Sequence, residues 1–292
     1  MIEDDRPPVY GIVGLGAMGG GMAAALIAAG HPVRGLDPDR AAQARARARG
    51  VFVEQDLSSL LDSANIVIVC LATPKALTDV YATIAATPAN QGQMVVECST
   101  IAPDRARDLA AVSRASGRRH LEACMIGLGD DAAAGRLYYF VGGDMRDLDA
   151  ARSFLEATGR GFAHLGDVGS GAAAKVLNNA IGNATMLAFT EAIVAGEAIG
   201  LDAKAFVCAV AEAKGAGMSV VFERRAHWAV SEEAQPPGPL NRKDMLEWGR
   251  MMDERCSEYP ILSESLRVFS RMPEAPGPIR AYAELIKSRL GV

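Results

Sequence analysis

The sequence predicts an α/β domain with a doubly wound sheet, joined by a long helix to an all-α domain. Three observations predict it. In the first half of the 292 residues, short apolar runs alternate with Ala-rich stretches of helical period. A glycine-rich turn follows the first of those runs. From residue 170 onward the helical pattern continues with no strand-like break.

Strands are expected at 9–14, 33–36, 66–71, 94–98, 120–124 and 137–141. They are nearly continuous apolar runs rather than alternating ones, as in parallel strands covered on both faces. Helices are expected between them at 18–29, 39–49, 57–63, 75–86 and 103–116. The second half predicts helices at 170–200, 203–212, 218–225, 242–256, 260–271 and 278–290, with a Pro-rich loop at 232–239. The division falls near 166–171, giving an α/β domain over 1–168 and a helical domain over 169–292. Met245, Trp248, Met251 and Met252 share helical spacing and read as core.

Composition narrows the function classes. Half of the residues are hydrophobic, 22% are charged and the formal charge is −5, so no nucleic-acid partner is expected. The apolar stretches are interrupted by Gly, Asn or charge before membrane-span length, and the acidic, Pro-containing start is no signal peptide. The five cysteines show no CxxC or Cys/His spacing, so a reducing cytoplasm is expected, with no disulfides and no metal. His31, His120, His164 and His227 form no ligand pair and read as structural.

The strongest local signal is Gly14-Leu15-Gly16-Ala17-Met18-Gly19, placed between the first strand and the first helix. In this GxGxxG pattern the first glycine allows a tight turn. The second lets the backbone approach a pyrophosphate, and the third lets helix and strand pack closely. The helix N-terminus then offers free N–H groups to phosphate. Asp37 follows the second strand, where a carboxylate can accept ribose hydroxyls and repel a 2′-phosphate. A turn or helix-capping role before Pro38 is its plainer alternative. NAD is therefore the expected cofactor. NADP stays open, because Arg40 lies close enough to meet a 2′-phosphate.

The second signal is Gly169-Ser-Gly171-Ala-Ala-Ala-Lys175-Val-Leu-Asn178-Asn179. On a helix, Lys175, Asn178 and Asn179 project to nearly the same side. Three small alanines leave room around the lysine. A partly desolvated lysine can take the proton of an alcohol during hydride transfer and return it in reverse. The plainer alternative is a snorkelling lysine with asparagine as polar filler. Ser170 is a candidate N-cap for this helix.

Together these two motifs resemble the β-hydroxyacid dehydrogenases, the group of 3-hydroxyisobutyrate dehydrogenase, tartronate semialdehyde reductase and 6-phosphogluconate dehydrogenase. The resemblance covers nearly the whole chain. It implies a Rossmann domain, a long inter-domain helix, a helical second domain and a homodimer or homotetramer. It also implies hydride transfer between NAD and a small 3-hydroxy acid or its semialdehyde or keto form. By resemblance, Lys175 is the catalytic acid/base and Asn179, beside Asn178, orients substrate. Thr100 in Ser99-Thr100 meets the nicotinamide end, Leu71-Ala72 lines the cofactor site, and Lys243 of Lys243-Asp244 closes over the cofactor. Pro38 stands where NADP-preferring members often carry Arg, which favours NAD.

The chain departs from the family pattern in two loops. Leu71-Ala72 replaces Leu-Pro. Ile126-Gly127-Leu128 replaces the Ser-Gly-Gly of the substrate loop, and an apolar pair cannot hydrogen-bond a carboxylate. The expected substrate is therefore bulkier or less polar than usual, or its carboxylate meets Arg136 or Lys243. Two other functions stay open: an imine or ketone reductase on this scaffold, which Lys175 opposes, and a non-catalytic NAD-binding protein, which Lys175, Asn179 and Lys243 oppose.

Overall fold

The computed structural model describes residues 7–212, 238–272 and Tyr282. The helices expected at 218–225 and 278–290, and His227, lie outside these residues, Tyr282 apart. The chain divides into two compact units, 1–175 and 176–292.

The first unit is an eight-stranded sheet in the order β3-β2-β1-β4-β5-β6-β7-β8. Its strands are β1 (Tyr10–Val13), β2 (Val33–Leu36), β3 (Phe52–Val53), β4 (Ile66–Val69), β5 (Met94–Glu97), β6 (Arg119–Ile126), β7 (Leu137–Gly142) and β8 (Gly159–His164). The intervening helices are α1 (Ala17–Ala28), α2 (Arg40–Ala48), α3 (Leu57–Ser63), α4 (Pro74–Ala86), α5 (Pro103–Ala115), α6 (Gly129–Ala133) and α7 (Met145–Thr158). The chain starts at β1, winds out to β3 and returns through β4 on the other side of β1. That reversal puts the crevice of a doubly wound sheet at the carboxyl ends of β1 and β4.

Every residue of β1 and β4 is buried, which explains their uninterrupted apolar sequence. One core packs Ile12, Met22, Leu26, Ile68, Val96 and Phe154 on one face. A second packs Val13, Leu60, Val67, Leu77, Val95 and Leu109 on the other. Two features correct the expected pattern. Strand β7 runs antiparallel to β6, so the sheet is mixed. Elements α6, α7, β3 and β8 are additional to the expected ones. Strand β8 escapes a pattern argument because its residues are only partly buried. Helix α7 does not: Leu148, Ala151, Phe154, Leu155 and Thr158 are buried at helical spacing, and Asp144 caps it.

The long helix α8 (Ser170–Ala198) runs from the first unit into the second, followed by α9 (Ala203–Glu212), α10 (Gly238–Met252) and α11 (Pro260–Arg271). The second unit packs Val176, Met186, Met245, Trp248 and Phe269 as one core, as the Met and Trp spacing predicts. All five cysteines are free. Among the described residues no helix is long and apolar enough to cross a membrane.

Candidate active site

The glycine turn is built by close approach. Gly14 has φ +97°, and a Cβ there would lie 2.2 Å from the Cys70 carbonyl oxygen at the end of β4. A Cβ at Gly19 would lie 1.8 Å from the Gly14 carbonyl oxygen, so α1 meets β1 only without one. Gly16 is different: nothing lies within 4 Å of its Cβ position. Gly16 is the N-cap of α1 and makes no side-chain cap bond, so that helix start faces open space. Leu15 turns its side chain into the core, while Gly16 and Ala17 are exposed and Met18 is half-buried. A diphosphate fits this cradle, held by backbone N–H groups and the helix dipole.

Asp37 follows β2 and is half-buried. Its Oδ2 accepts the Leu15 N–H at 2.7 Å, and its Oδ1 accepts the Asp39 N–H at 2.8 Å. The cap of α2 is Asp39, which accepts from Ala41 and Ala42, so Asp37 does not cap that helix, while its bond to the Asp39 N–H gives it the turn role of the plainer alternative. Arg40 is exposed at the first position of α2.

The ends of three further strands reach the same edge of the sheet. Leu71 is half-buried and Ala72 exposed after β4. Thr100 is half-buried after β5. Ile126 ends β6, Gly127 has φ +139°, and Leu128 is 51% exposed. A Cβ on Gly129 would meet the Ala17 Cβ at 3.2 Å, so this loop abuts the glycine turn. The Leu128 N–H donates to Asp131 Oδ2 at 3.0 Å.

The start of α8 is held from β6. Glu122, 1% exposed, accepts the N–H groups of Gly169 and Ala172, the latter at 2.7 Å. Burial pushes this carboxyl up, while those two amides and Arg107 pull it down. The cap expected of Ser170 is thus supplied by Glu122, and the buried Ser170 hydroxyl has no hydrogen-bond partner among the described residues. Gly171 permits the contact, since a Cβ there would lie 2.7 Å from the Phe140 carbonyl oxygen. Lys175 is half-buried one turn further on.

In the second unit, Asn179 is half-buried and its Nδ2 donates to Asp244 Oδ2 at 2.9 Å. Asn178 is exposed, and its Nδ2 donates to Asn179 Oδ1 at 3.2 Å. Lys243 is half-buried beside Asp244 on α10. Asn183 and Asn241 add a second polar link between α8 and α10.

Glu122 is the positioning residue that motif reading overlooks. Its signal is present, because a single acid inside an apolar strand must find buried donors. The three described histidines each have a partner within the first unit: His164 Nε2 bonds the Gly143 carbonyl oxygen at 2.8 Å, His120 Nδ1 bonds Ser113 Oγ at 3.0 Å, and His31 packs edge-on against Tyr10. Among the described residues no group of three His, Cys, Asp or Glu could hold a metal.

Comparison with known proteins agrees with this geometry. Residues 9–166 match the model for the NAD-binding domain of 6-phosphogluconate dehydrogenase. Residues 169–287 match that for the NAD-binding region of NADP-dependent 3-hydroxyisobutyrate dehydrogenase. A probable 3-hydroxyisobutyrate dehydrogenase of Mycobacterium tuberculosis is 35% identical over 228 residues, covering 78% of this chain and 74% of that one. An NAD-dependent L-serine dehydrogenase of Pseudomonas aeruginosa is 37% identical over 194 residues, covering 66% of this chain and 65% of that one. The solved structure of Mycobacterium tuberculosis 3-hydroxyisobutyrate dehydrogenase with L-serine superposes at a TM-score of 0.82. It is 28% identical and covers 96% of this chain and 99% of that one.

Proposed function

The chain belongs to the β-hydroxyacid dehydrogenase family, and we propose that Lys175 is the acid/base of its NAD-dependent oxidation of a small 3-hydroxy acid. The observation that carries this is the placement of Lys175. The lysine stands one turn into a helix whose start is fastened by Glu122 to β6, the strand that ends at Ile126. Bound NAD supplies the hydride acceptor.

The chain's own residues do the rest. The glycine turn and the start of α1 hold the diphosphate, and the Asp37 carboxylate accepts ribose hydroxyls and disfavours a 2′-phosphate. The Lys175 amine takes the hydroxyl proton as the C–H bond gives up its hydride, and the ammonium returns that proton in the reductive direction. Asn179, with its Nδ2 held by Asp244, orients the substrate by its amide without adding charge. By the family resemblance, Lys243 is a further cofactor-binding residue. The loop Ile126-Gly127-Leu128 offers the substrate apolar side chains, which favours a less polar substituent there. The acidic Asp131 takes the Leu128 N–H, which removes one donor from a substrate carboxylate. The protein works in the cytoplasm as a homodimer or homotetramer.

The test is Lys175→Ala, assayed for NAD reduction across 3-hydroxyisobutyrate, L-serine and other 3-hydroxy acids, with a cyclic imine as control. Turnover falls at least about a hundredfold, the usual range for lost general acid/base catalysis, while NADH binding stays within about twofold. Unchanged turnover in that variant would overturn the role of Lys175.

A further inference from the structure

Glu97 ends β5 with its carboxyl buried to 1% exposure, three residues before Thr100, which is expected to meet the nicotinamide end of the cofactor. Its Oε1 accepts the Ser99 N–H at 2.7 Å, so the side chain curls forward over its own strand end. Its Oε2 accepts the Tyr81 hydroxyl of α4 at 2.9 Å. Ser99 is itself 3% exposed, and its Oγ accepts the Leu71 N–H at 3.0 Å.

These bonds sit where the sheet ladder runs out. Strands β4 and β5 pair in register up to Val69 and Glu97. The next rung is the Cys98 N–H to the Val69 carbonyl oxygen at 2.8 Å. Beyond that rung, a serine hydroxyl continues the ladder between the two departing chains, and a buried carboxylate fixes the residue that carries the hydroxyl. A buried carboxyl oxygen that accepts a backbone N–H satisfies both groups and fixes the loop residue that donates. The exits of β4 and β5 therefore move as one piece.

From this chain of bonds we propose that Glu97 is a positioning residue for the cofactor: through Ser99 it sets the Leu71-Ala72 and Ser99-Thr100 segments against the nicotinamide half. The inference rests on the family reading of those segments as cofactor-lining. Glu97 touches neither substrate nor cofactor. Its effect reaches the reaction through the backbone of Thr100 and Leu71.

Three variants test it, each measured by NADH fluorescence titration, by KM for NAD against KM for the hydroxy acid, and by thermal unfolding. Glu97→Gln keeps the shape but offers one carbonyl acceptor where two carboxylate oxygens served. Ser99→Ala leaves Glu97 in place and frees only the Leu71 N–H. Both are expected to weaken NADH binding and raise KM for NAD about tenfold, the effect of losing about 1.4 kcal/mol, with KM for the hydroxy acid unchanged within about twofold. Combining the two adds little, because they cut one chain of bonds. Tyr81→Phe removes the bond on the far oxygen. It lowers thermal stability but leaves NADH affinity within about twofold, which separates positioning from mere packing. If Ser99→Ala, the smaller change, folds and binds NADH as the unaltered protein does, the proposal is overturned while the dehydrogenase reading stands. Failure of the unaltered protein to bind NADH overturns both.

Discussion

The Asp37 carboxylate and the Leu15 backbone N–H, separated by a helix and a strand in sequence, are 2.7 Å apart. The end of β2 is thereby tied to the glycine turn, so the carboxylate proposed to read the ribose is bonded to the segment proposed to hold the diphosphate. Asp37→Asn keeps an acceptor for Leu15 and removes the negative charge. The ratio of kcat/KM for NAD over NADP is expected to fall at least about tenfold, the effect of about 1.4 kcal/mol of charge discrimination. Steady-state kinetics with both cofactors checks it, and an unchanged ratio would remove Asp37 from cofactor choice.

Two glycines of the turn, Gly19 and Gly16, should separate by what they do. Gly19→Ala places a Cβ 1.8 Å from a backbone oxygen and is expected to unfold or strongly destabilise the first unit. Gly16→Ala meets no neighbouring atom, so the cofactor-free protein should lose less than about 1 kcal/mol. The same methyl stands in the approach to the diphosphate, so NADH affinity should drop at least about tenfold. Thermal unfolding and NADH titration on both variants decide the matter. A Gly16→Ala protein that binds NADH normally would move the diphosphate elsewhere.

Glu122 fastens α8 to β6 through two buried amides. Glu122→Ala leaves the Gly169 and Ala172 N–H groups without acceptors and is expected to cost about 2–4 kcal/mol in urea unfolding. Glu122→Gln retains one acceptor and should cost less. The loss of Lys175-dependent turnover should follow the same order, since the helix that carries the lysine is no longer held.

His120 links stability to acid. Burial, helped by the Arg114 charge, pushes its pKa down to about 3 from the ordinary value of 6.5. Between those values the unfolded chain binds a proton that the folded one refuses. The contribution is therefore nil above about pH 6.5. Below that it is unfavourable, growing by up to about 1.4 kcal/mol per pH unit as the pH falls towards 3. His120→Asn should flatten the acid limb of a plot of unfolding free energy against pH between 6 and 4. An unaltered slope there would mean that His120 is solvated when folded.

The site divides between what residue order shows and what it hides. Gly14 and Gly19 are legible because each answers a local steric demand beside the strand that precedes it, and Gly16 by its spacing between them. Asp37 is legible by its distance from them. Lys175, Asn178 and Asn179 are legible as one helical face. The partners of these groups are not: Glu122 reaches forward about fifty residues to the start of α8, and Asp244 reaches back to Asn179 across a stretch of similar size. No periodicity connects such pairs. The same holds for β7, whose apolar run fits either strand direction and which pairs antiparallel with β6.

By itself the sequence determined the doubly wound domain, the helical domain after it, the glycine cradle and the lysine-bearing helix. These rest on backbone conformation and apolar periodicity, which act over a few residues. Only the tertiary structure decided which acids hold those pieces. It showed Glu97 at the joined ends of β4 and β5, Glu122 under α8 and Asp244 against Asn179. A buried carboxylate must find donors wherever the folded chain supplies them, and the sequence records the acid but not the address of its partner.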